Sequence, residues 1–170
     1  MSHPVRRLAI ALTAATLLAV LFAAGAPTAA AQVAPLDERI AQAQSLIRAG
    51  TRQVLEEELL LTDDEKAAFW ALYDEYDAER EKIGERYIKL VGAYIRRYEA
   101  GTLTDDDADV LLDAYFDIEM DTLQLEQRYL RKFRKILPGI KVARFYQLEN
   151  KIRAEVDAAL ALAIPLADPR

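Results

Sequence analysis

From Leu61 to Leu72 the chain reads LTDDEKAAFWAL, and from Leu137 to Leu148 it reads LPGIKVARFYQL, a second stretch of the same form. Aligned, the two stretches share leucine, alanine and phenylalanine, and each has a second aromatic residue directly after the phenylalanine. Thr62 and Glu65 have the spacing of a capping box, in which a hydroxyl and a carboxylate each accept a hydrogen bond from the other residue's backbone amide. Pro138 has a φ angle that suits the first turn of a helix. Both stretches therefore predict the start of a helix, followed by an aromatic residue that faces inward.

Helix breakers divide the rest of the chain into helical segments. A glycine follows each of the stretches Asp37–Ala49 and Asp63–Ala100, a Pro-Gly pair follows Asp105–Leu137, and Pro165 closes the last stretch. The sequence contains no run of alternating β-branched residues that would indicate a strand. The predicted fold class is therefore all-α, with a long antiparallel helical hairpin and additional N- and C-terminal helices.

The third of these helices carries two neighbouring apolar stripes. The first stripe includes Ile118, Leu125 and Tyr129, and its three- and four-residue spacing suits packing against the antiparallel second helix. The second stripe needs another partner, which is either the first and last helices or a second copy of the chain. Because two-fold dimers are the commonest closed assembly, we expect a homodimer. The second stripe consists of Leu112, Phe116, Leu123, Leu130 and Leu137.

The first residues have the pattern of a secretory signal peptide. A basic pair at Arg6-Arg7 precedes an apolar run from Leu8 to Ala24, and an Ala-x-Ala site ends at Ala31. We predict that residues 1–31 are a signal peptide and that residues 32–170 form a single exported helical domain, without membrane insertion after cleavage. The alternative is an uncleaved membrane anchor, because the apolar run approaches the roughly 18 residues of a spanning helix.

The residue types of the mature chain argue against most catalytic chemistry. The only histidine, His3, lies in the predicted signal peptide, and the chain has no cysteine. Sites for zinc, copper, nickel, di-iron or c-type haem therefore lack their usual imidazole and thiolate ligands. Ser45, the sole serine after the signal peptide, has no histidine to act as its base. We expect a protein that is not an enzyme and has no cofactor; a carboxylate-dependent hydrolase is the less favoured alternative and needs two acids facing each other.

The net negative charge of the chain argues against nucleic acid as a partner. Removing Arg6 and Arg7 with the signal peptide changes the net charge from −6 to −8. An acidic chain of this kind is a poor general binder of nucleic acid. The acidic group from Asp105 to Asp109 has no EF-hand spacing, so a solvated helix start explains it better than a calcium or magnesium site.

A basic segment near the end of the third helix is the local exception to this acidic balance. Aromatic residues interleave with its arginines and lysines, whose long stems cover apolar surface while their charges stay hydrated. Such a surface suits weak binding of unfolded, acidic or amphipathic polypeptides. The alternative is compensation of the helix dipole, with ion pairs to Glu126, Glu149 and neighbouring helices. The candidate polypeptide-binding residues are Arg128, Arg131, Lys132, Phe133, Arg134 and Lys135.

The two repeated stretches, together with FYQLENK from Phe145 to Lys151, resemble the Spy/CpxP family of periplasmic proteins, whose repeated motif is Leu-Thr-x-x-Gln. In this chain Glu65 and Lys141 replace the glutamine of the two motifs. The resemblance implies a helical hairpin whose protomers pair antiparallel into a thin, curved dimer. It also implies a structural role for the motif positions, which are Leu61, Thr62, Glu65, Phe69, Leu137, Pro138, Lys141 and Phe145.

The resemblance also supplies the expected function. Spy-like members hold unfolding polypeptides without ATP, CpxP-like members restrain an envelope-stress sensor kinase, and other relatives bind heavy metals. We expect a periplasmic, ATP-independent, chaperone-like protein that binds polypeptides in envelope stress. The alternative is an adaptor or regulator of a single envelope partner such as a sensor kinase, whereas metal sensing is disfavoured because the ligands are missing.

Overall fold

The computed structural model describes residues 36–168, which form four helices and no strand. This confirms the all-α prediction. The predicted signal peptide and the expected mature start at Gln32 lie outside the described residues. The helices are α1 (Leu36–Glu58), α2 (Asp63–Glu99), α3 (Asp105–Phe133) and α4 (Gly139–Ala163).

Helix α1 continues through Gly50, where the sequence predicts a break. A glycine in a helix interior costs about 1 kcal/mol relative to alanine, which strong packing on either side can offset. Here the Thr51 hydroxyl, itself buried, donates to the Ile47 carbonyl oxygen at 2.8 Å. Leu55 and Leu59, one and two turns further on, are fully buried. Burial of the second half of α1 therefore keeps the helix intact across the glycine.

Helix α3 ends at Phe133, one turn earlier than the predicted end at Leu137. The amides of Lys135 and Ile136 donate to carbonyl oxygens three residues back, at 3.0 Å and 3.1 Å, so the last turn is tighter than an α-helix. Pro138 disfavours the α conformation of the residue before it, which explains why the helix does not extend to Leu137. The Pro138 carbonyl oxygen then accepts from the amides of Lys141 and Val142 and starts α4.

Capping boxes begin both long helices. At the start of α2, the Thr62 amide donates to Glu65 Oε2 at 2.8 Å. At the start of α3, the Asp107 amide donates to the Thr104 hydroxyl at 3.1 Å, and the Thr104 amide donates to Asp107 Oδ2 at 3.2 Å. Between these helices Gly101 has a φ angle of 64°, a left-handed conformation that suits a residue without a side chain.

Contacts group the described residues into two compact units. The α1 unit contains α1, through Leu60, and Arg144–Ala163 of α4. Its buried residues include Leu55, Leu59 and Phe145. Within it, Arg144 donates to the Glu58 carbonyl oxygen through Nε and to Glu58 Oε2 at 3.1 Å.

The second unit, the α2–α3 unit, contains Leu61–Ala143 together with residues 164–168. Residues late in α2 contact residues early in α3, so the two helices run antiparallel: Arg97 pairs with Asp107 and Arg86 with Asp121. Toward the other end of the pair, aromatic rings fill the core. These rings belong to Phe69, Tyr73, Tyr76, Tyr129 and Phe133, and all are at most 2% exposed.

Candidate functional site: the outer face of α3

Two of the six candidate binding residues near the end of α3 are engaged with α2. Arg128 pairs with Glu79, and Lys132 Nζ lies 3.5 Å from Glu75 Oε2. Lys132 Nζ also lies 4.1 Å from the centroid of the Tyr129 ring, in cation–π geometry. For Arg128 and Lys132 the alternative interpretation, ion pairing with a neighbouring helix, therefore describes the structure.

The prediction for Phe133 is wrong, because its side chain is fully buried. Its ring packs against Phe69, with centroids 5.6 Å apart, and against Tyr76 at 6.1 Å. It supports the core and offers no surface to a partner. What remains of the predicted surface is the exposed set Arg131, Arg134 and Lys135, which makes no ion pair within residues 36–168.

A hydrogen bond and an ion pair, both to Glu79 of α2, lie beside the aromatic core. The Tyr129 hydroxyl donates to Glu79 Oε1 at 2.6 Å, while Arg128 pairs with the other oxygen of the same carboxylate. Burial, together with this bond, raises the pKa of Tyr129 to about 12. The Tyr129 hydroxyl, aided by the Arg128 charge, lowers the pKa of Glu79. These groups fix the register of α3 on α2.

The two motif positions that replace glutamine lie against each other. Lys141 donates to Glu65 Oε2, and both side chains are largely shielded from solvent, with 21% and 16% of their surface exposed. The bond from Lys141, followed by that from the Thr62 amide, lowers the pKa of Glu65. Phe69 and Phe145, at the shared phenylalanine position, are both fully buried.

An uncovered apolar stripe runs along the outer face of α3. We define the α3 stripe as Leu112, Phe116, Met120 and Leu123, which are 54%, 64%, 55% and 49% exposed. Three- and four-residue spacing places them on one face of the helix. The Phe116 ring lies edge-on to the Tyr115 ring, with centroids 5.3 Å apart. Burying the exposed part of such a side chain contributes roughly 1 kcal/mol, so the stripe favours contact with another apolar surface.

The α3 stripe is the uncovered part of the second stripe recognised in the sequence. Toward its C-terminal end that stripe is covered, since Leu130 is half-buried and Leu137 is buried. Met120 was not among the predicted stripe residues, although its position four residues after Phe116 would have placed it there.

Acidic side chains border the α3 stripe. Every charged residue from Asp105 to Glu126 is an aspartate or glutamate. By spacing, Asp109, Asp113 and Glu119 lie beside the stripe residues, and all three are exposed. None of these three makes an ion pair in the described part of the chain. The face therefore presents apolar side chains with unpaired negative charge at their borders.

The same region offers no recognisable reactive or metal-binding arrangement. Among residues 36–168, no group of three or more histidine, cysteine, aspartate or glutamate side chains is arranged to hold a metal ion. Nor do the described residues include a helix that is both long enough and apolar enough to span a bilayer. What the α3 face can do chemically is bury apolar surface and pair charges.

No protein-family model, curated protein or solved structure matches this chain.

Proposed function

We propose that the protein is an exported periplasmic protein that binds polypeptides during envelope stress, without ATP and in a chaperone-like manner. The observation that carries this proposal is the α3 stripe, four large apolar side chains left about half or more exposed on one helix. An exposed contiguous apolar patch rimmed by polar residues is typical of an interaction surface. Weak, adaptable contacts of this kind suit partners that have no fixed structure.

Two features of the sequence support the same proposal. The N-terminal pattern of a basic pair, an apolar run and an Ala-x-Ala site is typical of export. The repeated motif resembles that of periplasmic proteins that hold unfolding polypeptides. Neither feature requires a cofactor or a catalytic side chain.

The test is suppression of aggregation. The protein, purified after expression of the whole chain, is mixed in excess with a test protein that unfolds on heating or dilution from denaturant, and light scattering is followed. Slower growth of scattering, with no ATP in the buffer, is the expected result. Unchanged scattering for several unrelated test proteins would contradict the proposal.

The second candidate function is an adaptor or regulator of one envelope partner. The observation that favours it is the segregation of charge along this part of the chain. The exposed bases Arg131, Arg134 and Lys135, at the end of α3 and just beyond it, follow a segment whose charged residues are all acidic. Separated regions of opposite charge can fix the orientation of a partner, which specific recognition uses. Affinity capture from a periplasmic extract separates the two functions, because one stoichiometric partner favours the adaptor and many substoichiometric ones favour the chaperone.

The expected homodimer remains a prediction. Sedimentation velocity of the purified protein over a range of concentrations tests it. A species of twice the chain mass would support a dimer, and a single species of 19.1 kDa or of the smaller processed chain would contradict it.

A further inference from the structure

We propose that the α3 stripe recognises basic amphipathic helical segments, in which apolar side chains follow three- and four-residue spacing and lysines or arginines flank them. This inference rests on the proposed polypeptide-binding function and names the class of polypeptide that the surface prefers. It goes beyond general affinity for unfolded chains, because it assigns a charge and a periodicity to the partner.

The periodicity follows from the geometry of the stripe. Leu112, Phe116 and Leu123 are separated by four and seven residues, and Met120 lies between the last two. A partner helix whose own apolar residues repeat every three or four positions can keep contact with this row over several turns. An extended segment alternates its side chains between two faces, so only every second residue could reach the row.

The charge of the partner follows from the acids that border the stripe. Asp109, Asp113 and Glu119 are exposed, make no ion pair in residues 36–168, and have no basic residue on α3 before Arg128. Like charges repel an acidic segment, whereas lysine or arginine at the edges of a docked helix would lie near these carboxylates. The complementary partner is therefore apolar along one face and basic at its edges.

Glu119 strengthens the preference for a basic partner, because this carboxylate lies within the apolar row as well as at its border. It lies three residues after Phe116 and four before Leu123, on the same face as the apolar row. A docked helix partly removes this carboxylate from water, which is unfavourable unless a cation or a hydrogen-bond donor faces it. A basic residue of the partner near Glu119 removes this penalty.

A second copy of the chain fits the α3 stripe less well. If two antiparallel copies meet so that both stripes are buried, the segment from Asp105 to Glu126 of one copy lies along the same all-acidic segment of the other. If the copies shift so that these acids meet the bases from Arg128 to Lys135, Leu112 and Phe116 lie opposite charged residues and gain little burial. A homodimer would therefore use another surface.

A membrane surface also fits poorly. Helices that lie on anionic bilayers carry lysine and arginine beside their apolar face, and the borders of the α3 stripe carry the opposite charge.

The test is a binding measurement with two matched synthetic peptides. Both have leucine at three- and four-residue spacing; one has lysine at the flanking positions and the other has glutamate there. Fluorescence anisotropy of the labelled peptides is measured against the protein purified after expression of the whole chain. We expect the lysine peptide to bind at least about tenfold more tightly, and this preference to shrink at high salt, since screening weakens exposed charge pairs.

Two pairs of variants separate the apolar and the charged contributions. Phe116→Ser should weaken binding of the lysine peptide about tenfold, whereas Val110→Ser, on the same helix at a residue that is 68% exposed and off the stripe, should leave it unchanged. The double variant Asp113→Asn/Glu119→Gln should remove most of the preference for lysine over glutamate. Its matched control, Glu85→Gln/Glu99→Gln, removes two exposed acids of α2 and should retain the preference.

Each other result contradicts the inference in a distinguishable way. Equal binding of the two peptides, with aggregation still suppressed, would overturn the charge preference and leave the proposed function standing. Loss of aggregation suppression with no peptide binding would overturn both. A change of sedimentation mass in Phe116→Ser, but not in Val110→Ser, would show that a second copy occupies the stripe and would overturn the inference.

Discussion

Lys141 donates a hydrogen bond to Glu65, the residue at the same position in the other copy of the repeated motif, 76 residues away. The two copies therefore contact each other through their equivalent positions. Where the motif it resembles has glutamine twice, this chain has a carboxylate and an ammonium group, and the pair brings complementary charges together. Glu65 also accepts from the Thr62 amide, so one carboxylate both caps α2 and holds the start of α4.

Replacing both residues of this pair should destabilise the protein by less than the two single replacements combined. Glu65→Gln leaves the partly shielded Lys141 ammonium without its carboxylate, and Lys141→Gln leaves the carboxylate without its cation. In Glu65→Gln/Lys141→Gln, two amides can still hydrogen-bond. We expect the melting temperature of each single variant to fall, and that of the double variant to fall by less than the two decreases combined. Additive decreases in thermal melts would contradict the coupling.

Stability should fall in acid because capping carboxylates have lowered pKa values. The bond from Lys141 lowers the pKa of Glu65 from its ordinary value of 4.5, and the Thr104 hydroxyl lowers that of Asp107 from 3.8. A lowered pKa contributes stability above the ordinary value and loses it as the pH falls through the folded value. Urea unfolding at neutral pH and at pH values below 3.8, where both carboxylates contribute, should show this decrease, and a smaller one in Asp107→Asn. An equal decrease in that variant would contradict the assignment.

Removing the Tyr129 hydroxyl should cost about 1 kcal/mol in the free energy of unfolding, because Glu79 then loses its bond while the ring remains. Urea unfolding of Tyr129→Phe measures this loss. Tyr115→Phe is the matched control, since Tyr115 is also on α3, is 37% exposed and should tolerate the change. If the two variants are equally stable, the Tyr129–Glu79 bond contributes nothing measurable.

Because the pKa of Tyr129 is raised, we also expect the protein to lose stability in alkali. Its pKa is raised from 10.0 to about 12, so the fold prefers the neutral phenol. The resulting stability is fully present below the ordinary value and is lost as the pH rises through the folded one. Spectrophotometric titration should therefore show a tyrosine that ionises late in the wild type and is missing in Tyr129→Phe.

Glycine substitutions should have opposite effects at two positions. A β-carbon at Gly84, inside α2, would meet no side chain and no other segment of the chain within 4 Å, so Gly84→Ala should stabilise the protein by about 0.5 to 1 kcal/mol. Gly101 has a φ of 64°, and Gly101→Ala should destabilise it by about 1 kcal/mol. Denaturant unfolding of both variants checks the pair. Destabilisation by Gly84→Ala would indicate a close helix crossing, which the structure lacks.

Local signals in the sequence were sufficient for most of the fold. The capping residue Thr62 and the glycine after Ala100 lie where the structure places helix ends, because these signals act within one turn of the chain. The predicted helix break at Gly50 was wrong. Burial of Leu55 and Leu59, which depends on residues distant in sequence, outweighs the cost of about 1 kcal/mol that a glycine adds within a helix.

The candidate site was less accessible to sequence reasoning. Spacing identified two apolar stripes on α3, but spacing cannot say which residues another part of the chain covers. Phe133 belongs to the stripe that packs on α2 and is fully buried. The basic residues beside it in the sequence therefore did not indicate that its own side chain is exposed. Phe116, on the other stripe, is 64% exposed. Only tertiary contacts separate these two phenylalanines.

The most direct test of the account compares Phe116→Ser and Val110→Ser in the light-scattering assay, on samples of equal concentration and confirmed helical content. Both changes replace an exposed apolar residue of α3 with serine, but only Phe116 belongs to the α3 stripe. We expect Val110→Ser to suppress aggregation of the test protein as the wild type does, and Phe116→Ser to lose most of this effect. Equal suppression by both variants would contradict the claim that the α3 stripe binds polypeptides.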